Sequence, residues 1–129
     1  MTHIPAGGFI KMLDRAQLMS QPTLLYVTTP DKGTAKTIAT ALVEQHLAAC
    51  VNILPQTQSI YRWNGVIEEA DECVVLVKTT TERAISARDL IVEQHPAETP
   101  CVIALPIEGT GTHPAFANWI KAETTPLNK

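Results

Sequence analysis

Between positions 35 and 47 the apolar residues Ala35, Ile38, Ala39, Leu42, Val43 and Leu47 recur at offsets of three and four, which places one stripe along a helix. Asp31 or Thr34 supplies an oxygen to cap its start. Ahead of it, residues 24–29 are rich in β-formers and close at Pro30, which predicts a first strand. After it, residues 49–63 form a second strand that Pro55 interrupts, so an edge position or a bulge is expected there. Asn64-Gly65 signals a hairpin, because both central residues of the favoured two-residue turn need positive φ. Residues 66–81 return as a third strand whose centre, 73–77, is continuously apolar, as in a strand covered on both faces.

A second helix is predicted over 82–94, with Ala84, Ala87, Leu90 and Ile91 inward, and His95-Pro96 ends it, since a residue before proline is pushed out of the helical region. Residues 101–105 read as a fourth strand closed by Pro106. Gly109 and Gly111 mark a loop, and a short last helix over 114–121 carries Trp119. From Glu123 onward the tail is expected to fray. The order β-α-β-β-α-β plus a C-terminal helix is the α+β, ferredoxin-like arrangement, an antiparallel four-stranded sheet with two helices on one face.

The other face of that sheet must be hydrated or covered. Alternating apolar residues on the second and third strands point to covering by neighbouring subunits. Tyr61 and Trp63 stand two positions apart near the turn of a long two-stranded arm. A domain this small cannot bury such an arm alone, so the arm is expected to meet another chain.

Composition narrows the function classes. The 129 residues suffice for one domain, read as 21–122, with residues 1–20 as an N-terminal leader, disordered or left from expression, and 123–129 as a flexible tail. An ordered N-terminal segment is the alternative for the first stretch. A net charge of −3 and the lack of any basic run argue against nucleic acid. No apolar run approaches the roughly 20 residues that span a bilayer, so no membrane partner is expected. Cys50, Cys73 and Cys101 are odd in number, far apart and set in apolar sequence, which fits reduced thiols and a cytoplasmic location.

Candidate chemistry is sparse. His46 and Cys50 are four apart, but the helix is expected to end between them. Cys50 reads as a structural thiol or, with partners from elsewhere, as a ligand for Cu(I) or zinc. His95, Glu98 and His113 are the remaining plausible ligands, suited to Cu(II) and zinc, and the prolines around His95 and Glu98 stiffen their loop. The acids Glu68, Glu69, Asp71 and Glu72 read chiefly as a solvated run split across two strand faces. Tyr61 and Trp63 read as interface residues, lining a small cleft with Lys78. No phosphate loop, nucleophile elbow or zinc-protease motif occurs, and no catalytic residue is expected.

These residues resemble the CutA family of divalent-cation tolerance proteins. The resemblance is carried by Thr28-Thr-Pro-Asp31, Leu47-Ala-Ala-Cys-Val-Asn52, Ser59-Ile-Tyr-Arg-Trp-Asn-Gly65, Val77-Lys-Thr79, His95-Pro-Ala-Glu-Thr-Pro100 and Ala104-Leu-Pro106. It implies a homotrimer with inward-packed sheets, similar to the PII signalling proteins, and a non-enzymatic role in copper and divalent-metal tolerance. No fixed cofactor is implied, only Cu(II) or another divalent cation. Cys50, His95 and Glu98 become the expected metal ligands, and Tyr61, Trp63, Lys78 and Trp119 the expected inter-subunit contacts. An alternative is a PII-like trimer that binds a small anion beside Lys78. Two departures are visible: Tyr26-Val27 stands where some members carry a cysteine, and Ala97 replaces the tyrosine of a His-Pro-Tyr-Glu loop.

Overall fold

A computed structural model describes residues 14–126. Its elements run α1 Arg15–Met19, β1 Pro22–Thr29, α2 Lys32–Glu44, β2 Cys50–Trp63, β3 Val66–Thr80, α3 Thr81–Gln94, β4 Val102–Pro106 and α4 Pro114–Glu123. The strands form one sheet in the order β2-β3-β1-β4, with every neighbouring pair antiparallel. This is the ferredoxin-like α+β arrangement that the periodicities predict.

Helices α2 and α3 cover one face. Leu25, Val27, Val75 and Val77 point into it and meet Ala35, Ile38 and Leu42 of α2 and Ala87 and Ile91 of α3. Each fully buried Leu, Ile or Val there contributes about 1.5–3 kcal/mol. Ala84 and Leu90 pack against this core while partly exposed. Val43 departs from the expected stripe and is 43% exposed.

Leu47 is buried as expected, though not by helical periodicity. The helix ends at Glu44, and His46 adopts a positive φ of 57°. The chain turns back there, so that the Leu47 and Ala48 N–H groups both donate to the Leu42 carbonyl at 2.9 and 3.2 Å. Such left-handed residues satisfy the orphan carbonyls at helix ends.

Of the tail expected to fray from Glu123, residues 127–129 lie outside the described residues. Helix α4 runs to Glu123, Thr124 is buried, and the Thr124 hydroxyl donates to the Ile120 carbonyl at 2.8 Å. The Glu123 carbonyl also meets Nδ1 of His46 at 3.0 Å. Of the expected leader, residues 1–13 lie outside the described residues, whereas Arg15–Met19 is a short helix closed by an Asp14–Gln17 capping box.

Beyond the end of β1, where Thr29 pairs with Cys73, strands β2 and β3 continue alone for seven pairs, from Thr57–Glu72 to Trp63–Val66. At the rise of an extended chain this free arm is about 23 Å long. It closes on Asn64 and Gly65, both at positive φ. Its apolar residues Ile60, Val66 and Ile67 are all exposed, Ile60 by 69%. The sheet face away from α2 and α3 likewise exposes Leu54, Ile103 and Leu105.

Candidate functional site

A one-residue irregularity decides which side chains the arm presents. Leu54 pairs with Val74, but the next pair is Thr57 with Glu72, so β2 carries an extra residue at Pro55-Gln56. Strand residues alternate between faces, so this bulge moves Thr57, Ser59, Tyr61 and Trp63 onto the face that holds Cys50, Asn52 and Leu54. An unbroken register would have put Ile60 and Arg62 there. On β3 the residues opposite Tyr61 and Thr57 are Glu68 and Glu72.

Facing the arm is the loop between α3 and β4. The His95 backbone is extended, at φ −85° and ψ 136°, which takes the chain out of the helix before Pro96. The His95 ring then locks the loop to the sheet. Its Nε2 lies 2.8 Å from the Thr28 carbonyl oxygen, and its Nδ1 accepts the Ala97 N–H at 3.0 Å. A carbonyl brings no hydrogen, so the tautomer with hydrogen on Nε2 satisfies both contacts. Neither nitrogen then has a free lone pair.

The arm, the end of β1 and this loop enclose a cleft of about 520 Å³. Tyr26 and Thr28 form its floor, Tyr61, Trp63, Glu68 and Glu72 its arm side, and His95, Ala97 and Glu98 its loop side. Three carboxylates and three aromatic rings line it, without a lysine or arginine among the described residues. Glu98 and His95 are thus brought together with Tyr61 and Trp63. Tyr26, Glu68 and Glu72 join them, although the acids read as merely solvated in the sequence. A second cleft, about 460 Å³, lies between the start of α2 and the base of the arm, lined by Asp31, Lys32, Asp71 and Glu72 among others.

The other expected site residues gather elsewhere. Cys50 and Lys78 are paired across β2 and β3, with Lys78 Nζ 3.6 Å from Cys50 Sγ. The same ammonium lies 5.5 Å from the centre of the Phe116 ring, which meets Trp119 at 5.4 Å. Lys78 pairs with Leu24 on β1, four residues and about 13 Å from the Thr28 that holds His95. Within one chain, therefore, Cys50 does not converge with His95 and Glu98. Nor does Lys78 share a cleft with Tyr61 and Trp63, since Glu68, opposite Tyr61, lies ten residues along β3, about 33 Å away. His113 is exposed at the start of α4, and His46 holds its Nδ1 on the Glu123 carbonyl at the far end of α2. Among the described residues, no three His, Cys, Asp or Glu side chains stand together closely enough to hold a metal ion.

Comparison with known proteins agrees with this fold. The family described as CutA1 divalent ion tolerance protein matches residues 23–123. The human Protein CutA is 43% identical over 99 residues, covering 77% of this chain but 54% of the human one, so the match spans about half of that relative. The Divalent-cation tolerance protein CutA of Thermus thermophilus is 42% identical over 102 residues, covering 78% of this chain and 96% of the relative. Among solved structures, the periplasmic divalent cation tolerance protein CutA of Archaeoglobus fulgidus superposes with a TM-score of 0.77 at 38% identity, covering 81% and 99% of the two chains. The chain belongs to the CutA1 divalent ion tolerance protein family.

Proposed function

We propose that this protein is a homotrimer that binds divalent cations, Cu(II) among them, in metal tolerance, without catalysing a reaction. Membership of the family named for divalent ion tolerance is the observation that carries this reading. The acid-lined cleft supports it, because Glu68, Glu72 and Glu98 make a region of negative charge with no lysine or arginine among the described residues that line it. The exposed arm and the apolar open sheet face support the assembly. A cytoplasmic location completes the proposal, supported by the free thiols of Cys50, Cys73 and Cys101. No helix among the described residues is long and apolar enough to cross a membrane. Recovery of the protein with periplasmic markers would overturn the location alone.

Cys50, His95 and Glu98 remain the proposed ligands. One chain leaves that set open, so a closed coordination shell draws on a neighbouring copy, and His95 must give up its Ala97 N–H to offer Nδ1. Titration calorimetry of the full chain with Cu(II) and Zn(II) tests this. Saturable binding is expected, weakened about 10- to 100-fold in Cys50→Ser, His95→Ala and Glu98→Gln. Unchanged affinity in all three variants would reject the assignment. Membership of a family named for divalent ion tolerance favours this reading over the alternative of a small anion bound beside Lys78.

A further inference from the structure

The two ring contacts of His95 are not equivalent. Nε2 lies 2.8 Å from the Thr28 carbonyl oxygen, and because a carbonyl only accepts, the ring hydrogen sits on Nε2. That contact fixes the tautomer and leaves the lone pair on Nδ1, where the Ala97 N–H donates at 3.0 Å. A metal-binding histidine takes the same form, with one ring N–H held by a carbonyl or carboxylate and the other nitrogen turned to the ion.

The two partners of the ring differ in how firmly they are held. Thr28 belongs to β1 and pairs with Val74 on β3, so its carbonyl is fixed in the sheet. Ala97 is exposed, as are Pro96, Glu98 and Thr99. Among the described residues, no backbone–backbone hydrogen bond ties 96–99 to the rest of the chain. The contact that fastens this loop is thus the one that occupies Nδ1. Glu98 follows Ala97 directly, so release of the Ala97 N–H also frees the backbone that carries the Glu98 carboxylate.

We propose that the Ala97 N–H gates His95: ligation through Nδ1 displaces it, keeps the Nε2 hydrogen on Thr28, and releases Glu98 toward the same ion. This gate rests on the proposed role of His95 and Glu98 as divalent-cation ligands, and it couples the two through one backbone step. Thr28 is then a positioning residue that acts through its carbonyl. Neither Tyr61 nor Trp63 takes part in the exchange, which is therefore compatible with an arm buried against a neighbouring copy.

The test follows the full chain by nuclear magnetic resonance and titration calorimetry with Zn(II), which is closed-shell and leaves the spectra sharp. Zinc is expected to move the Nδ1 resonance of His95 while the hydrogen stays on Nε2. The Ala97 amide should lose its protection from solvent exchange, whereas the amides of β1 keep theirs. Ala97→Pro deletes the competing donor and should tighten zinc binding about 3- to 10-fold, the worth of one hydrogen bond. Ala97→Gly keeps the N–H while loosening the loop and should not tighten it, with circular dichroism confirming the fold of both variants. Zinc bound with the Ala97 amide still protected and the Nδ1 resonance unmoved would overturn the gate and spare metal binding through other ligands. Equal or weaker zinc binding in Ala97→Pro would overturn it as well. No zinc binding by any of the three proteins would remove the metal reading and the gate together.

Discussion

Asp31 shows how one side chain serves both the local fold and its surroundings. Its carboxylate accepts the Thr34 N–H at 2.7 Å and caps α2, at the rim of the smaller cleft. The Thr34 backbone hydrogen bond, followed by that residue's side chain, holds the Asp31 carboxyl below its ordinary 3.8. Glu108 is lowered in the same way, first by the Gly111 N–H and then by Thr110, in the loop before α4. A depressed folded-state value adds stability above the unfolded value, and that stability disappears as pH falls through the folded one. Urea midpoints of wild type and Asp31→Asn should therefore differ by a constant amount above about pH 5, and converge as pH falls below the ordinary 3.8 and on through the lowered folded value, where the aspartate has lost its charge in both states. A difference independent of pH would show that the charge on Asp31 contributes nothing. His95 works on the same scale, fastening the 95–101 loop to β1 through two ring contacts.

At the scale of elements, the arm was legible in outline and not in its facing. Strand alternation, the proline and Asn64-Gly65 predicted a long hairpin with an irregularity near Pro55, and the register bears this out. Period-2 reasoning also put Tyr61 and Trp63 on one face. Sequence does not disclose that the bulge turns that face toward Glu68 and Glu72, because the extra residue is counted only once both strands are paired. The split of the expected site has the same origin: Cys50, Lys78 and His95 are placed by register along the sheet, and register is not written in any one segment. Likewise the Glu123 carbonyl, next to the buried Thr124, meets the distant loop at His46, which no local pattern signals. Opposite faces of the arm should respond differently to substitution. Trp63→Ala, which strips a large exposed aromatic from a free arm, is expected to lower the concentration stability of the assembly, measured by sedimentation velocity across a dilution series. Glu69→Ala should leave it unchanged, and equal effects would deny the arm its proposed place in the interface.

On the scale of the whole molecule, the two sheet faces have unequal fates. The face under α2 and α3 is filled by the core, whereas the other leaves Leu54, Ile103, Leu105, Tyr61 and Trp63 open to solvent. Exposed apolar area of this kind on one continuous face marks an association surface. The arm reaches past the rest of the sheet without folding back on its own chain, so a single copy leaves both unsatisfied. Assembly also matters for chemistry, because the described residues of one chain do not gather three metal ligands by themselves. Multi-angle light scattering on the full chain is therefore the most direct measurement. A mass about three times the 14.0 kDa of one chain, persisting on dilution, is what the proposed homotrimer predicts. A stable 14.0 kDa monomer at the same concentrations would contradict it.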